Sequence, residues 1–151
     1  TKKLALQLQS AVDRTTFEPE AKRRVCDANM IFDLNKLKAD HINFKNDNFC
    51  ACQEGNSFKV KKSNECDMGQ WILKSEEDGL PFTNSKLWEE IKTTHNRFHN
   101  MVQDTVDLYS EGYGNEQIIV VTENIELQIN GIFDLIDQLK EYNCDLQFKK
   151  K

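Results

Sequence analysis

The sequence predicts an all-α fold, an antiparallel up-and-down helical bundle with a short cysteine-bearing helix. Three observations predict it. Apolar residues recur at steps of three and four over long stretches, the period of one helix face. Only six glycines and two prolines occur in 151 residues, too few for the many tight turns of a sandwich or barrel. The breaks between the periodic stretches are short, which favours antiparallel neighbours.

Taken in order, residues 3–16 carry weak helical spacing through Leu4, Leu8, Ala11 and Val12. Phe17-Glu18-Pro19-Glu20 interrupts it. Proline and acidic residues suit the first turn of a helix, so a new helix is expected from near Pro19 to about Phe49. Its seam is Ile31, Leu34, Leu37, His41 and Phe44, with His41 where a leucine would be expected. The polar stretch Cys50–Glu65, with Gly55, Asn56, Ser57 and Asn64, reads as a loop. Cys66 to about Lys74 reads as a short helix, ended by Glu76-Glu77-Asp78-Gly79-Leu80-Pro81.

A strong helix follows from Thr83 or Asn84 to about Tyr109, with Asn84 or Ser85 as its cap. Its seam is Trp88, Ile91, His95, Phe98, Val102, Thr105 and Tyr109, again with a histidine in a core register. Gly112 suits its termination. The last helix, about Asn115 to Tyr142, has the clearest seam: Ile118, Val121, Ile125, Ile129, Ile132, Ile136 and Leu139. No internal repeat or low-complexity stretch occurs.

Bulk properties narrow the function. A chain of this length forms one domain with a substantial core. Charged residues are 30% and hydrophobic residues 38% of the sequence. No apolar run approaches the roughly 20 residues of a membrane span, and no secretory signal is recognised. The net charge of −5 disfavours a nucleic-acid partner. Lys149, Lys150 and Lys151 make a small basic tail. The five cysteines are Cys26, Cys50, Cys52, Cys66 and Cys144. An odd count without a secretory signal reads as reduced and cytoplasmic rather than as a disulfide framework. The sequence starts at Thr1 without methionine, which reads as a piece of a longer protein.

The three histidines are His41, His95 and His99. His95 and His99 are four apart, so a helix sets both imidazoles on one face, roughly 5–6 Å apart at Cβ. A facing helix would supply His41, and Cys66 would come from the short crossing segment. Gly69 would let that segment pack closely, and Met68 and Trp71 would bury it. Three imidazoles and one thiolate complete a four-coordinate zinc shell. The structural alternative is ordinary: core histidines are usually just hydrogen-bonded, and buried cysteines are usually inert. Two histidines in apolar seams, unpaired, would however cost several kcal/mol.

The order of these motifs resembles the chemoreceptor zinc-binding domain family of bacterial chemotaxis receptors and diguanylate cyclases. His41-Ile42-Asn43-Phe44-Lys45, then Cys66-Asp67-Met68-Gly69-Gln70-Trp71, then His95-Asn96-Arg97-Phe98-His99 carry the resemblance, over roughly residues 25–140. It implies Zn2+ held by His41, Cys66, His95 and His99. It also implies a cytosolic, homodimeric sensor module joined to an upstream receptor signalling domain. Residues 1–18 would then be the tail of a signalling coiled coil, 19–145 the zinc-binding bundle and 146–151 a basic tail.

From zinc the signal is expected through Cys66. Zinc keeps the sulfur deprotonated, so it is primed toward a small oxidant such as hypochlorous acid, and oxidation weakens it as a ligand. Cys50 and Cys52 are expected as ordinary exposed thiols or, alternatively, resolve an oxidised Cys66 as a disulfide. Competing readings are a sensor of zinc availability, a structural zinc dimerisation module, an enzyme and a hemerythrin-type carrier. Four protein ligands leave no open position for catalytic water. Asn96 stands where H-E-x-x-H metalloproteases carry their glutamate. A hemerythrin-type centre needs more histidines than three.

Overall fold

The computed structural model describes residues 2–14 and 25–149. Within them lie α1 (Lys2–Arg14), α2 (Ala28–Cys52), α3 (Asp67–Glu77), a 3-10 turn (Pro81–Asn84), α4 (Lys86–Ser110) and α5 (Asn115–Phe148). No strand occurs among the described residues, and no helix is long and apolar enough to cross a membrane.

α2 and α4 start where side chains can satisfy free backbone donors, whereas α5 starts after Gly114 without a side-chain cap. Asp27 accepts from Met30 N at 2.9 Å to start α2. Ser85 accepts from Trp88 N at 3.1 Å to start α4. Residues 25–27 are non-helical, so α2 begins at Ala28 rather than running on from near Pro19, which lies outside the described residues. The Asp27 cap sets this boundary. Gly112, with φ of 76°, ends α4 in the left-handed region that suits glycine. α5 runs on to Phe148, past the expected end near Tyr142, because Asn143, Cys144 and Leu146 still find neighbours.

Cross-helix contacts fix the directions. Lys38 pairs with Asp137 at 2.7 Å, Lys140 donates to Asn35 at 2.9 Å, and Lys45 pairs with Glu126. Partner numbers fall on α5 as they rise on α2, so the two are antiparallel. α3 descends beside α2, from the level of His41 to that of Met30 and Asp33, where Trp71 lies. α4 then ascends and α5 returns. The arrangement is the expected up-and-down bundle with α3 as its short member. The core is Leu34, Trp88, Ile91, Phe98, Val102, Ile125, Ile132, Ile136 and Leu139, each fully buried. These are the seam positions the periodicity marks.

One expectation is overturned. Cys26 and Cys144 form a disulfide, with S–S 2.04 Å and Cα atoms 5.5 Å apart across 118 residues of sequence. The reading of five reduced cysteines therefore fails for this pair. Antiparallel packing of α2 and α5 brings the start of one beside the end of the other, a proximity no local pattern encodes. Cys50, Cys52 and Cys66 are free, but of the two expected exposed thiols only Cys50 is exposed: Cys52 is fully buried, its sulfur on the Phe49 carbonyl at the end of α2.

Candidate metal centre

His41 lies on α2, Cys66 caps α3, and His95 and His99 lie on successive turns of α4. All four are buried, between 2% and 8% exposed. One ligand atom from each falls within 4.8 Å of the others. The imidazole centroids are 5.0 Å (His41–His95), 5.7 Å (His41–His99) and 4.8 Å (His95–His99) apart, with rings edge to face. Phe44 and Phe98 line the same cluster, Phe44 lying 4.5 Å from the His99 ring centroid.

The nitrogens are already sorted. His41 Nδ1 donates to the Leu37 carbonyl at 2.8 Å, and His99 Nδ1 donates to the Lys61 carbonyl at 2.7 Å. Each Nδ1–H bond leaves Nε2 as the lone-pair nitrogen. His41 Nε2 and His99 Nε2 are both buried without a partner. Orphaned buried polar atoms are costly, and two of them converge on one point beside a thiol. An imidazole held through its other nitrogen by a backbone carbonyl is the usual arrangement of a metal ligand. His95 Nε2 approaches Cys66 Sγ at 3.2 Å.

Burial holds these imidazoles neutral, the form that binds metal. The pKa of His95 is pushed down to about 3, by desolvation first and then by His41 and His99. That of His99 falls to about 4, again mainly through desolvation, against the opposing bond to Lys61. His41 is lowered for the same leading reason. Burial raises the Cys66 thiol, while the backbone N–H groups of Gly69 and Met68 pull it down.

Cys66 owes its direction to the α3 N-terminus. Gly69 N donates to its sulfur at 3.3 Å, and the thiol faces the Ser63 carbonyl at 3.3 Å. A Cβ on Gly69 would meet Ser63 O at 1.9 Å and Asn64 Cα at 2.8 Å. Glycine is therefore required three residues after the cysteine, because loop backbone lies against that face of α3. Met68 is fully buried there. Trp71 works lower down, where it stacks on Phe82 (6.1 Å between centroids, 13°) and tilts on Trp88 (5.4 Å) to anchor α3.

All four sequence-derived site residues thus come together. The sequence reading missed the main-chain groups: the carbonyls of Leu37 and Lys61 carry no side-chain signature. Asp67 lines the cleft beside the centre and pairs with Lys36 at 3.3 Å, which also holds Asp40 at 2.6 Å. Cys50 and Cys52 sit nine and eleven residues past His41 on α2, about 13–17 Å along the axis. They are out of reach of Cys66 in this arrangement.

Comparison with known families matches residues 41–106 to the chemoreceptor zinc-binding domain. This segment belongs to that family. Its limits run from the first candidate ligand, His41, to seven residues beyond the last, His99, narrower than the 25–140 expected from the motifs. No curated protein and no solved structure matches the chain. The chemoreceptor zinc-binding domain assignment and the buried His41, Cys66, His95 and His99 group both support Zn2+ as the cofactor. The donor set of three neutral nitrogens and one sulfur suits a tetrahedral structural zinc.

Proposed function

We propose that the chain is a zinc-dependent regulatory module in which His41, Cys66, His95 and His99 bind one Zn2+ and Cys66 is the redox-reactive ligand. The observation that carries this reading is the pair of orphaned Nε2 atoms of His41 and His99, buried beside a thiol and a third imidazole. Four protein donors fill a tetrahedral shell and leave no open position for a catalytic water, so the role is regulatory rather than catalytic.

Zinc bound there supplies a local positive charge that holds the Cys66 sulfur as thiolate. The reagent's route is a cleft of about 250 Å³ whose lining includes Asp40, Asp47, Lys61, Cys66 and His99. The thiolate attacks the chlorine of hypochlorous acid and displaces hydroxide. Water then replaces chloride on sulfur and loses a proton, leaving a sulfenic acid. Sulfur loses two electrons and chlorine gains them. The product is a poorer ligand, and structural zinc contributes roughly 10–16 kcal/mol in small peptides. Loss of one ligand in four therefore releases α3, which Cys66 tethers at its N-terminus, by several kcal/mol, enough to shift a two-state element.

The same reading places the module in the cytoplasm, after a receptor signalling domain, as a homodimer. Apolar side chains in the open support partners. Leu4, Leu6 and Leu8 on α1 are 47–56% exposed, as suits the end of an upstream coiled coil, and Ile119, Val120 and Leu127 on α5 are 55–67% exposed. Cytosolic thiols keep most cysteines reduced, so Cys26–Cys144 is a second redox-responsive feature under this reading.

Substoichiometric hypochlorous acid applied to the zinc-loaded chain, followed by peptide mass spectrometry, tests it. The first modification is expected on Cys66, with zinc released in step. First modification of exposed Cys50 with zinc retained rejects the redox switch. A site only half-filled at ambient free zinc would instead make occupancy the signal.

A further inference from the structure

His41 and His99 are oriented in different ways. The acceptor for His41 Nδ1–H is Leu37, one turn earlier on its own helix. The acceptor for His99 Nδ1–H is Lys61, 38 residues away, in a stretch without regular structure between α2 and α3. An imidazole is only as fixed as the carbonyl it binds, so something must hold Lys61.

Gln103 lies one turn beyond His99 on the same face of α4. Its side-chain Oε1 accepts from Val60 N at 2.9 Å. Its Nε2 donates to the Phe58 carbonyl at 3.0 Å and to Asp107 Oδ1 at 2.8 Å. One amide thus pairs with the carbonyl and N–H of residues two apart, the pairing a neighbouring β-strand would provide. Asp107 fixes which way round the amide sits. Lys61 follows immediately on the clamped residues.

Resting on the zinc-ligand reading above, we propose that Gln103 is a positioning residue of the metal centre. It clamps Phe58 and Val60 so that the Lys61 carbonyl holds His99 Nδ1–H and leaves Nε2 facing the metal. A general stabiliser would loosen the whole centre on removal. A positioning residue disturbs His99 and spares His41, whose acceptor is on its own helix.

The test uses the full chain, with Gln103→Leu, which cannot hydrogen-bond, and Gln103→Glu, which keeps the acceptor for Val60. Long-range proton–nitrogen NMR of the metal-free proteins reads each imidazole's tautomer, and competition with a chromophoric chelator reads zinc affinity. In the unaltered chain His41 and His99 are both expected as Nδ1–H tautomers. In Gln103→Leu, His99 is expected to become a mixture, His41 to stay unchanged, and zinc affinity to fall about 10- to 100-fold, the usual cost of losing an outer-shell partner. Gln103→Glu is expected to lose less. An unchanged His99 tautomer in Gln103→Leu, or a joint shift of His41 and His99, overturns the proposal. If the unaltered chain binds no zinc, the ligand reading fails, while the tautomer comparison still decides the role of Gln103. Should Gln103→Leu fail to fold, amide exchange in the unaltered chain decides: Val60 N–H protected at least tenfold over Lys59 supports the clamp, and equal exchange rejects it.

Discussion

Replacing Gly69 by alanine adds one methyl group at the point where α3 meets the loop that feeds it. The new carbon would lie 1.9 Å from Ser63 O and 2.8 Å from Asn64 Cα. Both atoms are backbone, so no rotamer change relieves the clash. The Ser63 carbonyl oxygen must retreat by at least roughly 1 Å, since real Cβ atoms essentially never come within 3.0 Å of a neighbour. Overpacking of this kind costs about 1–3 kcal/mol. The displaced group is the carbonyl that Cys66 Sγ faces at 3.3 Å, and Gly69 N is itself a donor to that sulfur. The effect should therefore exceed general destabilisation and reach the metal. Urea unfolding of the metal-free Gly69→Ala chain should show a loss of about 1–3 kcal/mol. Chelator competition should show weakened zinc binding even where the variant is fully folded. Unchanged stability with unchanged zinc affinity would refute the claim that backbone contact, rather than local flexibility, requires glycine here.

Three further outcomes follow from the same geometry. Folded His95 and His99 titrate at about 3 and about 4, against about 6.5 when unfolded. Both are depressed, so the unfolded chain takes up more protons once the pH falls below about 6.5. Metal-free stability should be full above that pH and fall by up to about 1.4 kcal/mol per unit per histidine toward pH 4; a urea midpoint flat from pH 7 to 5 would contradict this, and His95→Leu/His99→Leu should flatten the slope. The Cys26–Cys144 bond closes a loop across 118 residues, which the chain-entropy relation values at up to about 5 kcal/mol. Cys26→Ser/Cys144→Ser should lower the melting temperature under oxidising conditions and change nothing in excess reductant. Finally, Cys50→Ser/Cys52→Ser should leave the Cys66 oxidation product unchanged, since both positions lie more than two helical turns from the centre; a lost Cys66 disulfide in that variant would show that α2 unwinds to deliver them.

The fold was largely legible in the sequence because its signal is periodic. The α5 seam from Ile118 to Leu139 and the α4 seam around Trp88 and Phe98 mark helix faces that bury as the period requires. The candidate ligands stood out because His41 and His95 occupy seam positions where an apolar residue belongs. Boundaries were harder. Asp27 starts α2 because its side chain accepts from a free N–H, and the start expected near Pro19 lies outside the described residues. The Cys26–Cys144 pairing was hidden because it depends on the direction of two helices far apart in sequence. The partners that orient the imidazoles were hidden for another reason. Leu37 and Lys61 act through carbonyls every residue has, and only the path of the chain selects them. Gln103 carries no motif of its own, and only the path of the loop lays Phe58 and Val60 against it.

X-ray absorption at the zinc edge of the loaded chain tests the proposed coordination most directly. The expected first shell is one sulfur at about 2.3 Å and three imidazole nitrogens at about 2.0–2.1 Å. Loss of the sulfur component is expected in Cys66→Ser alone among the cysteine variants. A shell without sulfur, or one with two or more, would contradict the arrangement of His41, Cys66, His95 and His99 around a single ion.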